Sequence, residues 1–95
     1  MHIISRKRLL EFSEVHPDAE APLDTWYRTA KSAKWENLAQ VKANYPSADL
    51  VGKYTVFNIK GNDYRLIAEI NYRSQTIFVR YILTHSEYDK GKWKA

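Results

Sequence analysis

The residues best suited to chemistry gather near the end of the chain, in Thr84-His85-Ser86-Glu87-Tyr88-Asp89-Lys90, with Lys92 just beyond. Histidine changes charge close to neutral pH, and tyrosine can donate a hydrogen bond or a proton. Two carboxylates and two lysines stand beside them. His85 and Tyr88 are three residues apart, so a short terminal helical turn would bring both to one side. Taken singly, a histidine in such a position is more often structural than reactive. The cluster gains weight because it directly follows the most strand-like run in the sequence.

Two arginines interrupt the strands before it. Arg65 and Arg80 each lie on the less apolar face of an otherwise apolar run. Neighbouring strands are about 4.8 Å apart, so two arginines on adjacent strands can share one concave surface. A guanidinium binds phosphate through two parallel hydrogen bonds and stabilises charge that develops on it. The plainer reading of each is an ion pair with Glu69 or with a helix carboxylate. Lys60 falls in the turn before the Arg65 strand, Lys53 before the first strand of the set, and Arg73 in the turn after the Arg65 strand.

The elements that must position these groups follow from periodicity. His2–Ser5 reads as a short first strand, with Ser5 also the N-cap of a helix reaching Val15. Leu9, Leu10, Phe12 and Val15 give that helix its apolar side, and His16-Pro17-Asp18 ends it. A second helix starts near Ala21-Pro22, with Leu23, Trp26, Tyr27, Ala30 and Ala33 at helical spacing. A third runs from Trp35 to Asn44 with Trp35, Leu38, Ala39 and Val41 facing inward, and Pro46 and Gly52 mark a connecting loop. From Tyr54 the period changes to alternation. Tyr54–Ile59, Tyr64–Tyr72 and Thr76–Leu83 form a three-stranded antiparallel meander through turns at Lys60-Gly61-Asn62-Asp63 and Arg73-Ser74-Gln75. Tyr64, Leu66, Ala68, Ile70 and Tyr72 share one face. On the last strand Ile77, Val79, Tyr81 and Leu83 oppose Phe78, Arg80 and Ile82. Helices on one face of the meander make the fold class α+β.

Composition sets the outer bounds. The 95 residues suffice for a single domain spanning 1–95, and a 44% hydrophobic, 14% aromatic content can build its core. With no cysteine in the sequence, disulfides, thiolate zinc sites and thiol catalysis are excluded. Neither a signal peptide nor a membrane span is expected, which places the protein in the cytoplasm. The net charge of +4 is unevenly spread: residues 1–50 carry seven basic and seven acidic residues, residues 51–95 eight and four. A basic half with interleaved aromatics suits a polyanion such as nucleic acid, although a solvated sheet face would look the same.

Several strings go further. Tyr54-Thr55-Val56-Phe57-Asn58-Ile59-Lys60-Gly61-Asn62, Tyr64-Arg65-Leu66-Ile67 and Thr84-His85-Ser86-Glu87-Tyr88-Asp89 closely resemble the HigB-type toxins of type II toxin–antitoxin systems, within the RelE/ParE-like superfamily. The likeness spans essentially the whole chain, including its Met1-His2-Ile3-Ile4 opening and Tyr45-Pro46-Ser47. It implies a twisted antiparallel sheet with helices on one face and a short C-terminal turn. The activity it implies is that of an mRNA endonuclease working on messenger engaged by the ribosome, held inactive by a HigA-type helix-turn-helix antitoxin and meeting DNA only through that complex.

The implied reaction is attack of an RNA 2′-OH on the adjacent phosphate, which requires no metal or other cofactor. It needs a base, positive charge on the phosphoryl oxygens, and an acid for the leaving 5′-oxygen. By resemblance Arg65 matches the superfamily's phosphate-binding arginine, with Arg80 a second candidate. His85 is the candidate acid or base, Tyr88 its partner or a substrate orienter, and Lys60 an electrostatic contributor. Lys53, Arg73, Lys90 and Lys92 are the expected RNA-binding residues. Two other functions compete with this one: a non-catalytic ParE-like toxin that binds DNA gyrase, and a plain RNA-binding module.

Overall fold

A computed structural model of the protein describes residues 1–94. A five-stranded mixed sheet carries the first three helices against one of its faces and the short last helix on the other. Strand β1 (His2–Ile4) leads into helix α1 (Arg6–Val15), and a 3-10 turn at Pro17–Ala19 leads into α2 (Glu20–Ser32). Helix α3 (Leu38–Asn44) precedes strands β2 (Asp49–Val51), β3 (Tyr54–Ile59), β4 (Tyr64–Asn71) and β5 (Thr76–Thr84). Helix α4 (His85–Lys90) and a 3-10 turn at Lys92–Lys94 close the chain. None of the described helices is long and apolar enough to cross a membrane.

The α+β class and the β3–β4–β5 meander are those expected, but the sheet is wider than the meander. Its order is β1-β5-β4-β3-β2, with β1 parallel to β5 through Ile3↔Ile77. Asp49–Val51, expected as a loop, folds back on Tyr54–Val56 across Gly52-Lys53 and forms an edge strand. Gly52 takes the left-handed conformation (φ 60°) that this tight turn requires. Helix α3 begins three residues later than Trp35, where the Asn37 side chain accepts from the Gln40 N–H. Trp35 is buried all the same, ahead of the helix, and its indole N–H donates to Asn44 Oδ1 at 2.9 Å.

Two face assignments change. On α1, Leu9 is buried, whereas Leu10 and Val15 are 52% and 74% exposed and do not join the core. On β5 the alternation breaks at Arg80, because Val79 opposes Ala68 while Tyr81 opposes Ile67, leaving Arg80 unpaired as a bulge. Beyond it the pleat is inverted. Ile82 turns to the helices beside Ile77 and Val79, and Leu83 turns to the opposite, open face.

The core between the layers centres on Phe57 of β3, which is fully buried. Its ring meets Trp26 edge-on at 5.4 Å, Tyr45 edge-on at 5.4 Å and Trp35 in a stack at 6.3 Å. One strand residue thereby ties α2, the segment ahead of α3 and the loop after α3 to the sheet. Phe57→Ala is expected to cost about 3–5 kcal/mol, read as a lowered midpoint in urea denaturation. A loss below about 1 kcal/mol would mean that the aromatic cluster does not organise the layers.

Candidate active site

The site is built where β4, β5 and α4 meet. Tyr64 pairs with Thr84 and Arg65 with Leu83, so the β3–β4 hairpin lies beside the start of α4. The His85 N–H donates to the Asp63 carbonyl at 2.9 Å and fixes the helix start to that hairpin. Thr84 caps α4: its hydroxyl accepts from the Glu87 N–H at 3.2 Å, and Glu87 accepts from the Thr84 N–H at 2.9 Å. At the other end Gly91 (φ 71°) adopts the left-handed cap that stops the helix.

Arg65 is 7% exposed, very low for a charged side chain. Its guanidinium donates to the Asn62 carbonyl (3.0 Å), the Tyr64 carbonyl (3.1 Å) and Asn62 Oδ1 (2.9 Å). It also lies 3.1 Å from His85 Nδ1. The Tyr88 ring covers it, with the guanidinium carbon 5.3 Å from the ring centroid. Each of these groups is neutral or uncharged on the contacting atom, and no carboxylate pairs with Arg65 among the described residues. The outcome is a desolvated permanent cation with donors but no counter-charge.

The fold thus brings together Arg65, His85 and Tyr88. It does not bring Arg80 to them. Three residues along β5 from Leu83, Arg80 lies roughly 10 Å down the strand. Its Nε donates to Glu69 at 3.0 Å, and Lys53 stands 3.7 Å from the same carboxylate. Lys60 is at the right end of the sheet but points to its helix side. Its ammonium lies 2.8 Å from Asp18 and 3.5 Å from Asp63, and the Tyr64 hydroxyl donates to Asp18 at 2.6 Å. Hydrogen bonds from Lys60 and then Tyr64 hold the Asp18 carboxyl below its ordinary value, and Asp18 in turn raises the Lys60 ammonium. Arg73 sits in the β4–β5 turn at the far end of the sheet, about 20 Å or more along β4 from Arg65. Lys90 ends α4, and Lys92 lies in the terminal turn with Trp93.

Three residues of this arrangement went unread in the sequence. Asn62 looked like turn chemistry only, yet it supplies two of the acceptors of Arg65. Trp93, between two lysines, received no reading from the sequence. It is 5% exposed, covers Val56 and Ile67 on the open face, stacks on Tyr88 at 5.1 Å, and donates its N–H to the Tyr88 carbonyl at 3.0 Å. Asp89 had a readable signal, since it stands at i+4 from His85. Its Oδ2 is 3.0 Å from His85 Nε2.

Comparison of the sequence with known proteins identifies the family. The family described as "HigB_toxin, RelE-like toxic component of a toxin-antitoxin system" matches residues 19–91. The chain belongs to the HigB toxin family. Its relatives include the Escherichia coli (strain K12) "mRNA interferase toxin HigB" and the Shigella flexneri "mRNA interferase HigB". Each is 33% identical over 92 residues, covering 94% of this chain and 88% of the relative. The "mRNA interferase HigB" of Escherichia coli O6:H1 is 32% identical over 93 residues, with 95% and 90% covered. Membership of a toxin–antitoxin family also implies an antitoxin partner for this HigB-family toxin.

The capping of α4 has a pH signature. The Thr84 N–H is the main cause that holds the Glu87 carboxyl below its ordinary value of 4.5. A carboxyl lowered by folding stabilises the folded form above its unfolded value. That contribution is lost as pH falls through the lower, folded value. Below about pH 4.5, the protection of α4 amides relative to their intrinsic exchange rates is therefore expected to fall in the wild type, and Glu87→Gln to flatten that acid dependence. Identical acid profiles for the two proteins would show that the capping carboxylate does not hold the helix.

Proposed function

We propose that this HigB-family toxin is an endoribonuclease of a type II system that cleaves mRNA and so stops translation and growth. The carrying observation is the buried Arg65 guanidinium, which lacks a carboxylate and adjoins an imidazole. A desolvated cation of this kind is suited to a phosphodiester, whose oxygens accept two parallel hydrogen bonds from a guanidinium. The names of the relatives support the same substrate. Messenger on the ribosome is the proposed target, in the cytoplasm, and a HigA-type helix-turn-helix protein the proposed antitoxin, through which alone the toxin meets DNA.

In the proposed reaction the RNA 2′-oxygen attacks the adjacent phosphorus and the 5′-oxygen leaves. No metal is required where protein groups can meet each demand. Arg65 stabilises the charge that builds on the phosphoryl oxygens, a task for which a donor already fixed in place loses nothing to reorganisation. His85 exchanges the proton. Tyr88 holds the guanidinium plane against its ring and borders the space where the nucleotide would lie. Lys60 and Arg80, each neutralised by a carboxylate, add to the field without touching the phosphate. Lys53, Lys90 and Lys92 extend the basic surface for the strand, and Arg73 at the far end of the sheet is the least suited to it.

Cleavage of ribosome-engaged mRNA by purified protein tests this reading. His85→Ala is expected to lower the rate by about 10²–10⁴-fold, and Arg65→Ala by about 10²–10³-fold. Arg80→Ala is expected to retain most of the activity. Wild-type rates in both of the first two variants would overturn the assignment, as would growth arrest by the toxin with messenger intact.

RNA binding by an inactive His85→Ala protein provides a second check. The logarithm of the binding constant is expected to fall with log salt at about −0.7 for each phosphate neutralised. A slope near zero would remove the phosphate-tracking surface.

A further inference from the structure

The two ring nitrogens of His85 are both engaged, and by groups of opposite character. A guanidinium carries five donors and no acceptor. The Arg65 nitrogen 3.1 Å from Nδ1 must therefore donate, so Nδ1 presents its lone pair. The ring proton is left on Nε2, where the Asp89 carboxylate waits at 3.0 Å. Donor and acceptor bookkeeping thus fixes the tautomer without reference to hydrogen positions. It also separates the two roles left open by composition alone, since a resting ring with a bare Nδ1 is prepared to take a proton.

We infer that Asp89 is a positioning residue that holds His85 as the Nε2–H tautomer, so that Nδ1 acts as the base toward the RNA 2′-OH once a phosphate draws Arg65 away from it. This deepens the ribonuclease reading and rests on it. In the resting protein Arg65 occupies the lone pair that the substrate needs. An arriving phosphodiester offers that guanidinium nitrogen an anionic oxygen in place of a neutral nitrogen. The contacts of Arg65 to Asn62 and the Tyr64 carbonyl can persist while this one is exchanged. The 2′-OH proton then passes to Nδ1, and a 2′-O–P bond forms as the P–O5′ bond breaks. The leaving 5′-oxygen keeps the bonding pair and takes a proton from solvent, which reaches this half-exposed ring. The imidazolium so formed lies between phosphate and Asp89.

The frame that keeps Asp89 in place is the one described for α4. Asp89 is one turn along from His85, on a helix closed by Thr84 and Glu87 at one end and by Gly91 at the other. Trp93 pins that helix to the open face through Tyr88. The charged groups in contact with the imidazole among the described residues are Arg65 from β4 and Asp89 from α4, while Asp63 of the adjoining hairpin accepts the His85 N–H through its backbone carbonyl. Glu87 is folded back on the Thr84 N–H. Among these, Asp89 alone is a carboxylate on the ring itself.

Two measurements test this separately from the ribonuclease reading. The first is the ¹⁵N spectrum of histidine-labelled toxin without RNA at neutral pH. His85 is expected to show a protonated Nε2 and a bare Nδ1 in the wild type, and a mixture of tautomers in Asp89→Asn. A wild-type His85 with its proton on Nδ1 overturns the proposal, whether or not the protein cleaves RNA. The second is the pH–rate profile. Asp89→Asn is expected to lower kcat by about tenfold or more with KM little changed, and to displace the acid limb of the profile. Asp89→Glu is expected to restore the limb. A purely structural role would lower activity in Asp89→Asn with the limb in its wild-type place, and that result also overturns the proposal.

Discussion

A guanidinium buried without a carboxylate is the constraint around which this end of the molecule is arranged. Taking a cation out of water costs several kcal/mol unless hydrogen bonds replace the lost hydration. For Arg65 the replacement comes from neutral acceptors in the preceding hairpin, from His85 and from the face of Tyr88. None of these cancels the charge. The hairpin must therefore close tightly enough for Asn62 to fold back, and α4 must start where it does for His85 to reach. In the proposed reaction a phosphate completes the pairing that the protein leaves unfinished.

The other cations of the sheet differ in kind. Arg80 and Lys53 share Glu69, while Lys60 is divided between Asp18 and Asp63. Those pairs are exposed or half-exposed and contribute little to stability. Their consequence is local: each takes a candidate cation out of competition for a phosphate at Arg65. Among the basic residues that give the second half of the chain its excess charge, Lys53, Lys60 and Arg80 are thereby paired with carboxylates, whereas Arg65 is buried without one. Composition sees only their sum. The partner carboxylates make the distinction, and Asp18 comes from the far side of the fold.

Local periodicity was enough to read β1, α1, α2 and the meander, because each of these elements carries its own apolar pattern. It failed where the decisive contact is distant in sequence. Asp49–Val51 has too few residues to show alternation and becomes a strand only by pairing with β3. The bulge at Arg80 leaves no mark in composition, yet it reverses the faces of Tyr81, Ile82 and Leu83. The site divides along the same line. That Arg65, His85 and Tyr88 stand together was legible from residue type, spacing and family likeness. Arg80 and Lys60 looked equal to them until their partners were known. Trp93 was invisible, since nothing local indicates that a tryptophan between lysines will lie down on the sheet.

That tryptophan explains how a helix of six residues can hold two side chains over Arg65. So short a helix would not persist alone, because nucleation consumes most of what its few hydrogen bonds return. Capping at both ends offsets part of that cost, and the indole adds an apolar cover that spans from Tyr88 to Val56 and Ile67. A column of rings continues outward, Tyr54 meeting Trp93 at 5.8 Å and Tyr81 meeting Tyr54 at 6.3 Å. The open face of the sheet is therefore not a bare solvated surface but a second, smaller core, whose role is to hold α4 still. With α4 held, the imidazole and the ring stand fixed over Arg65 before any substrate is present. Electrostatic stabilisation of a phosphoryl group depends on that prior arrangement, since dipoles and charges that need not turn during the reaction lose nothing to reorganisation. The stability of the terminal turn and the placement of His85 and Tyr88 over Arg65 are accordingly one problem, solved by the same few contacts.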